Sequence, residues 1–218
     1  MNAPIEQLPR IAVLGAGRVG SAMARVTVEA GYDVSMAASA DPEKIALIAQ
    51  IVTPGAVPRW AADAIARADV VMLAIPLHRF DAFDASSLDG KLVVDLMNYW
   101  APTDGVQQLF ESELSSSEIV QRRLTGSTVV KAFNHIGYHE LESERRPVGA
   151  VDRKALGVAS DDAAAAHVVA RIVERIGYDV VTLDSLAAGR SFEPGGPVFG
   201  ATLDSAEFDA AVRVSQAA

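Results

Sequence analysis

The chain has 218 residues and a formal net charge of −9; half of its residues are hydrophobic and 22% are charged. That length suits one large domain, or a domain with a small appendage, built around a sizeable core. The acidic excess argues against a nucleic-acid or anionic-membrane partner, and the absence of cysteine excludes disulfides, thiolate metal sites and a Cys nucleophile.

Residues 1–9 read as a loose, proline-punctuated tail with neither the basic start nor the apolar core of a signal peptide. No apolar run approaches the roughly 20 residues that span a bilayer, so a cytoplasmic protein is expected. The first strand is predicted at Ile11–Leu14 and the first helix over 18–30, with Gly31 placed to end it. A second strand over 33–38 leads to Asp41-Pro42-Glu43, which supplies an N-cap, a first-turn proline and an acid matched to the helix dipole. The helix that follows runs to Val52, where Thr53-Pro54-Gly55 breaks it. A short third strand within 56–60 and a short helix over 61–68 come next.

Residues 70–75 form an unbroken apolar run, the pattern of a central parallel strand covered on both faces, and Pro76 stops it. Strands over 91–96 and 128–133 flank a loop and a Ser-rich helical region, 103–124. A strand at Ala155–Ala159, a helix over 162–176 and a strand at Asp179–Leu183 complete the alternation. The expected fold is α/β: a doubly wound parallel sheet of about eight strands, the Rossmann NAD(P)-binding type, with right-handed crossovers over 10–184. Residues 185–218 read as a Gly/Pro-rich tail with one short helix, expected to complete an acceptor or dimer site.

The chemistry concentrates first in Gly15-Ala16-Gly17-Arg18-Val19-Gly20, a GxGxxG run between a strand and a helix. Gly15 makes the turn out of the strand, Gly17 clears space for a pyrophosphate, and Gly20 brings helix and strand close together. The helix N–H groups then face the phosphates, with the positive end of the dipole behind them. After the second strand stand Ala37, Ala38, Ser39 and Ala40, where an NAD enzyme places Asp or Glu. The missing acid favours NADP(H), with Ser39, Lys44 and Arg18 as candidates to hold the 2′-phosphate; Lys44 reads equally as a solvated helix charge.

Ligands of such sheets lie across the carboxyl ends of the strands. That selects Ala74, Ile75, Pro76 and His78 after the fourth strand, and Asn98 with Tyr99-Trp100 after the fifth. Asn134, His135 and Ile136 follow the sixth. His78 with Arg79 reads as a surface pair or as a contact for an anionic acceptor, and His135 as a structural histidine or a ring contact. No side chain stands out as a general acid, and no metal-ligand pattern appears. Tyr99, Tyr138 and Tyr178 are followed four residues on by Thr103, Glu142 and Thr182, so Tyr-Lys dehydrogenase chemistry is absent. The short tail leaves no room for the large helical substrate domain of hydroxyacid dehydrogenases and imine reductases. Direct hydride exchange between two ring cofactors suits such a site; reduction of another small or metal-chelate acceptor, and nucleotide binding without turnover as a sensor or subunit, are the alternatives.

IAVLGAGRVG, LAIP (73–76), VVKAFNHI (129–136), GVASDD (157–162) and DSLAAGRSFEP (184–194) occur in an order that resembles the NADPH-dependent reductases of coenzyme F420, a deazaflavin. A similar pattern occurs in the cytosolic nucleotide domain of membrane ferric reductases. The resemblance spans nearly the whole chain. It implies hydride transfer between NADP(H) and coenzyme F420 or a flavin such as FMN, often in a homodimer. It also implies that Ser39 touches the 2′-phosphate, that Ile75 and Pro76 line the nicotinamide end, and that Ala132, Asn134 and Ile136 border the ring site. The chain departs from the pattern at Ala40, where the family carries Arg, and after Arg190, where the tail is shorter.

Overall fold

A computed structural model describes residues 7–39 and 41–216. Residues 1–6 of the expected tail, and Ala40, lie outside the described residues. The chain runs β1 (Ile11–Leu14), α1 (Arg18–Glu29), β2 (Val34–Ala37), α2 (Pro42–Val52), β3 (Val57–Pro58), α3 (Ala61–Arg67), β4 (Val70–Leu73) and α4 (Leu77–Phe80). It continues through β5 (Leu92–Asp95), α5 (Ala101–Asp104), α6 (Ser116–Arg123), β6 (Thr128–Ala132), α7 (Glu140–Ser143), β7 (Ala155–Ala159), α8 (Ala163–Ile176), β8 (Asp179–Leu183) and α9 (Ser205–Gln216).

The strands form one eight-stranded sheet in the order β3-β2-β1-β4-β5-β6-β7-β8. Local chemistry sets several of these elements. Asp41 caps α2 by accepting the Glu43 N–H at 2.9 Å, with Pro42 in the first turn. Ser115 and Glu118 close a capping box at the start of α6. Gly31 takes φ +90 just past α1, a conformation that favours glycine. The Ser-rich region is helical only at its two ends. Gly105, at φ +73, stops α5, and the chain stays irregular until Ser115 caps α6.

Alternation along the strands splits the core into two layers. Ile11, Val13, Met72, Val94 and Val130 pack with Met23 and Val26 of α1 and Val169 and Val173 of α8. Ala12, Leu14, Leu73, Val93 and Val129 pack with Ile65 of α3 and Val120 of α6. Burying each large aliphatic side chain contributes about 1.5–3 kcal/mol.

The sheet corrects the fully parallel expectation. β7 pairs antiparallel with β6, through Lys131 opposite Ala159 and Ala132 opposite Val158, while every other pairing is parallel. A parallel return needs a crossover long enough to cover the sheet. Residues 133–154 carry only the four-residue α7 and a Pro/Gly-interrupted stretch held by ion pairs such as Arg146–Asp152. The segment after β8 therefore starts at the amino-terminal side of β6 and runs back across the sheet. There Phe192, Val198, Phe208 and Val212 pack on Ala155, Ala159 and Val181, so the tail is part of the same folded body.

One polar pair interrupts the apolar layers. Lys131 and Asp95 are cross-strand partners, both buried, with Nζ 3.2 Å from Oδ2. Lys131 also donates to the Met97 carbonyl at 2.6 Å and the Ser116 hydroxyl at 3.1 Å, and Ser117 donates to Asp95 at 2.6 Å. Buried charges persist when they are paired and hydrogen-bonded in this way.

His135 is buried between the rings of Phe192 and Phe208, with centroids 5.0 and 5.5 Å away, and its Nε2 accepts the Gly157 N–H at 3.2 Å. Burial, together with the Lys131 charge, lowers its pKa to about 3 from the ordinary 6.5. The unfolded chain binds a proton between these values and the folded chain does not, so stability falls as pH drops through that window. Between pH 7.5 and 5 this group is expected to remove about 2 kcal/mol from the wild type and nothing from His135→Gln. Urea unfolding at both pH values checks this; equal acid sensitivity in the two proteins contradicts it.

Candidate functional site

The strand ends assemble a glycine-lined edge. The Gly15 N–H donates to the Ala37 carbonyl at 2.8 Å, and the Ala74 N–H to the Leu14 carbonyl at 2.9 Å, so the glycine turn is stitched between β2 and β4. Gly15 has φ +124, and a Cβ there would fall 2.3 Å from the Ala74 carbonyl oxygen. A Cβ on Gly20 would fall 1.9 Å from the Gly15 oxygen. These two glycines permit backbone to touch backbone. Gly17 differs: a Cβ there would meet nothing within 4 Å, and no side chain caps the helix that it begins. The protein's own packing leaves that space open at the positive end of α1, beside Arg18, Val19 and Gly20.

At the end of β2, Ser39 and Lys44 are exposed. Arg59 joins them unannounced by the sequence. It follows β3, whose register places it beside Ala37, and its Nε donates to the Ser35 hydroxyl at 3.1 Å. Only the pairing of β3 with β2, which no local pattern encodes, reveals this cation. Arg18 reaches the other way, with its guanidinium 5.9 Å over the Tyr138 ring.

After β4, Ala74 and Ile75 are half-buried, while Pro76 and His78 are exposed. His78 Nδ1 lies 2.9 Å from Asp104 Oδ1, and Asp104 also accepts the Trp100 N–H at 2.9 Å. Asp104 lies in the Ser-rich stretch, where local sequence pattern assigns it no role. Its partner sits 26 residues earlier, beyond the reach of local pattern. After β5, Asn98 is half-buried and interlocked with Asn134. Asn98 Nδ2 donates to the Asn134 carbonyl at 2.7 Å, and Asn134 Nδ2 donates to Asn98 Oδ1 at 2.9 Å and to the Phe192 carbonyl at 2.7 Å.

The expected ring-site group at 132–136 divides. Ala132 faces the α8 layer and is fully buried, and His135 points between Phe192 and Phe208. Neither side chain reaches the surface; His135 takes the structural one of its two readings, and the Ala132 side chain belongs to the core. Strand alternation turns Ala132 inward, and antiparallel β7 covers His135. Asn134 is buried but holds the edge through Asn98, while Ile136 lines a small cleft of about 250 Å³ with Gly137 and Gly200. Arg190 donates to the carbonyls of Ser112 and Glu113 at 2.7 and 2.8 Å, anchoring the tail.

Two larger clefts open on the surface. One, of about 630 Å³, is bounded by Tyr99, Phe110, Arg190, Ser191 and the 193–197 turn. Tyr99 and Phe110 stack there with centroids 5.2 Å apart. The larger of the two, about 1720 Å³, lies at the amino ends of β1 and β4, against Arg10, Tyr32, Arg171 and Arg175. Several cations there are already engaged, as in Arg10–Asp69 and Arg145–Glu29, so size alone does not make it the site. Among the described residues no helix is long and apolar enough to cross a membrane.

Residues 10–99 match the family described as NADP oxidoreductase, coenzyme F420-dependent. Among solved structures, a hypothetical protein from Sinorhizobium meliloti is 27% identical over 92% of this chain and 98% of its own, with a TM-score of 0.76. A candidate F420-dependent NADP reductase from Arthrobacter sp. FB24 is 27% identical over 84% of this chain and 87% of its own, with a TM-score of 0.69. The 3-hydroxyisobutyrate dehydrogenase of Mycobacterium tuberculosis, 20% identical with a TM-score of 0.60, shares the fold; the match spans 85% of this chain and 57% of that one. No curated protein matches the chain significantly.

The glycines make separable predictions. Gly17→Ser is expected to keep the wild-type urea midpoint, because its side chain enters open space at an ordinary φ of −77 and suits the N-cap at least as well as glycine. Gly20→Ala is expected to lower the midpoint, by a cost of about 1–3 kcal/mol or more, because its Cβ collides with backbone. Equal midpoints for the two variants contradict this division of roles.

Proposed function

We propose that this chain is an NADP(H)-dependent oxidoreductase that exchanges a hydride between the nicotinamide and a deazaflavin, coenzyme F420, or a flavin-like acceptor. The observation that carries the reading is the open cradle at Gly17, at the uncapped start of α1, where a Cβ would meet nothing. A diphosphate placed there would take the first N–H groups of α1 as donors. Ser39 and Lys44 follow β2 and Arg59 follows β3, and they would supply the hydroxyl and cations that a 2′-phosphate needs. The family match over 10–99 supports the same cofactor.

In this reading Ala74, Ile75 and Pro76 border the nicotinamide end, and Asn98 is positioned there by its bonds to Asn134. NADPH supplies the hydride; the protein's part is to hold donor and acceptor face to face and to exclude water. The cleft walled by Tyr99 and Phe110 has the volume and aromatic lining for a planar ring system. Trp100, Val106 and Leu109, exposed apolar residues on the same 99–110 segment, support a homodimer in which a second copy covers this side.

Oxidation of NADPH in the presence of coenzyme F420, repeated with FMN and with NADH, tests the proposal. Reduction of one of these acceptors, with NADPH preferred over NADH, is the expected result. Tight NADPH binding with no hydride transfer to any acceptor contradicts it and favours a nucleotide-binding sensor.

A further inference from the structure

We propose that Asn98 recognises the carboxamide of the nicotinamide by accepting its N–H, and that Asn134 is the residue that positions Asn98; this rests on the NADP(H) reading above. Asn98 stands three residues past β5 and Asn134 two past β6. β5 lies between β4 and β6, and the Leu96 N–H donates to the Leu73 carbonyl at 3.1 Å, which ties the chain after β5 to β4. The two amides therefore share the carboxyl edge of the sheet with Ala74, Ile75 and Pro76.

Each amide is oriented by a group that can only accept. The Asn134 backbone carbonyl lies 2.7 Å from the Asn98 side chain, so the atom facing it is Nδ2. The Phe192 carbonyl, also at 2.7 Å, identifies Nδ2 of Asn134 in the same way, and that nitrogen's second N–H goes to Asn98 Oδ1 at 2.9 Å. Both N–H groups of Asn134 are thus in use, while its Oδ1 is buried without a partner. Asn98 is half-buried, and its Oδ1 keeps a second acceptor position. The interlocked pair is short of donors. The carboxamide is the one part of the nicotinamide ring that carries N–H groups.

A second irregularity adjoins the first. Phe133, between β6 and Asn134, takes φ +62, the one positive φ outside glycine among the described residues, and its ring is buried. A bulky side chain in the left-handed region is strained, and such strain persists where the surroundings over-determine it, most often at ligand sites. Strain at Phe133 and the orphaned oxygen of Asn134 thus fall on neighbouring residues whose shared outcome is one fixed direction for Asn98. Anchoring the tail accounts for the bond to Phe192; it does not account for the bond to Asn98.

Calorimetric titration with three probes tests this without turnover. The wild type is expected to bind NADP⁺ about tenfold more tightly than its 3-acetylpyridine analogue, in which a methyl ketone replaces the amide and no N–H is left. Asn98→Ala is expected to bring that ratio close to one while leaving the affinity for 2′,5′-ADP, which has no nicotinamide, at the wild-type value. Asn134→Ala is expected to lower the ratio as well, again with 2′,5′-ADP unchanged, a split that a merely structural role does not give. Equal wild-type affinity for the two dinucleotides overturns the proposal. So does an Asn98→Ala protein that keeps the wild-type ratio, or that loses 2′,5′-ADP as strongly as NADP⁺. An unchanged ratio in Asn134→Ala overturns the positioning role alone. A wild type that binds neither NADP⁺ nor 2′,5′-ADP fails the cofactor reading itself.

Discussion

The close crossing of backbone at Gly15, Gly20 and Ala74 is the constraint from which the site follows. Carbonyl oxygens occupy the positions where side chains of Gly15 and Gly20 would begin. β1, α1 and β4 are therefore locked at near-contact distance, and the first turn of α1 is delivered to the carboxyl edge of the sheet. The packing that forces glycine at 15 and 20 exerts no such force at 17. The glycine at 17 therefore owes nothing to packing, and its place at the uncapped start of α1 is what the proposed cofactor reading rests on.

A second, polar constraint holds the carboxyl ends of β5 and β6. Lys131, Asp95, Ser116 and Ser117 form a buried network between β5, β6 and α6. Directly beyond it Asn98 and Asn134 lock the ends of the same two strands and reach the Phe192 carbonyl in the tail. Polar groups buried this deeply fix one geometry, because slippage leaves charges or amides without partners. The tail is drawn to the same place by the aromatic contacts of Phe192 and Phe208 with His135. A segment that begins on the far side of the sheet thereby comes to border the cleft beside Tyr99.

Features governed by local chemistry were legible in the sequence. Asp41-Pro42 announced α2, Asp162 announced α8, and the apolar runs at 155–159 and 179–183 matched β7 and β8 residue for residue. The glycine loop was legible for the same reason. The direction of β7 was not, because an apolar run has the same composition whichever way it enters the sheet. Nor was the burial of His135, since a polar ring at a strand end gives no sign of which face it will take. Arg59 and Asp104 escaped notice because Ser35 and His78, their partners, lie 24 and 26 residues away.

A crystal structure of the chain with NADP⁺ decides which end of the sheet holds the nucleotide. The diphosphate is expected over Gly17 at the start of α1 and the 2′-phosphate near Ser39, Lys44 and Arg59. The nicotinamide then reaches Pro76 and Asn98. A nucleotide bound instead in the arginine-rich cleft at the amino ends of β1 and β4, with the Gly17 space left to solvent, would contradict this placement.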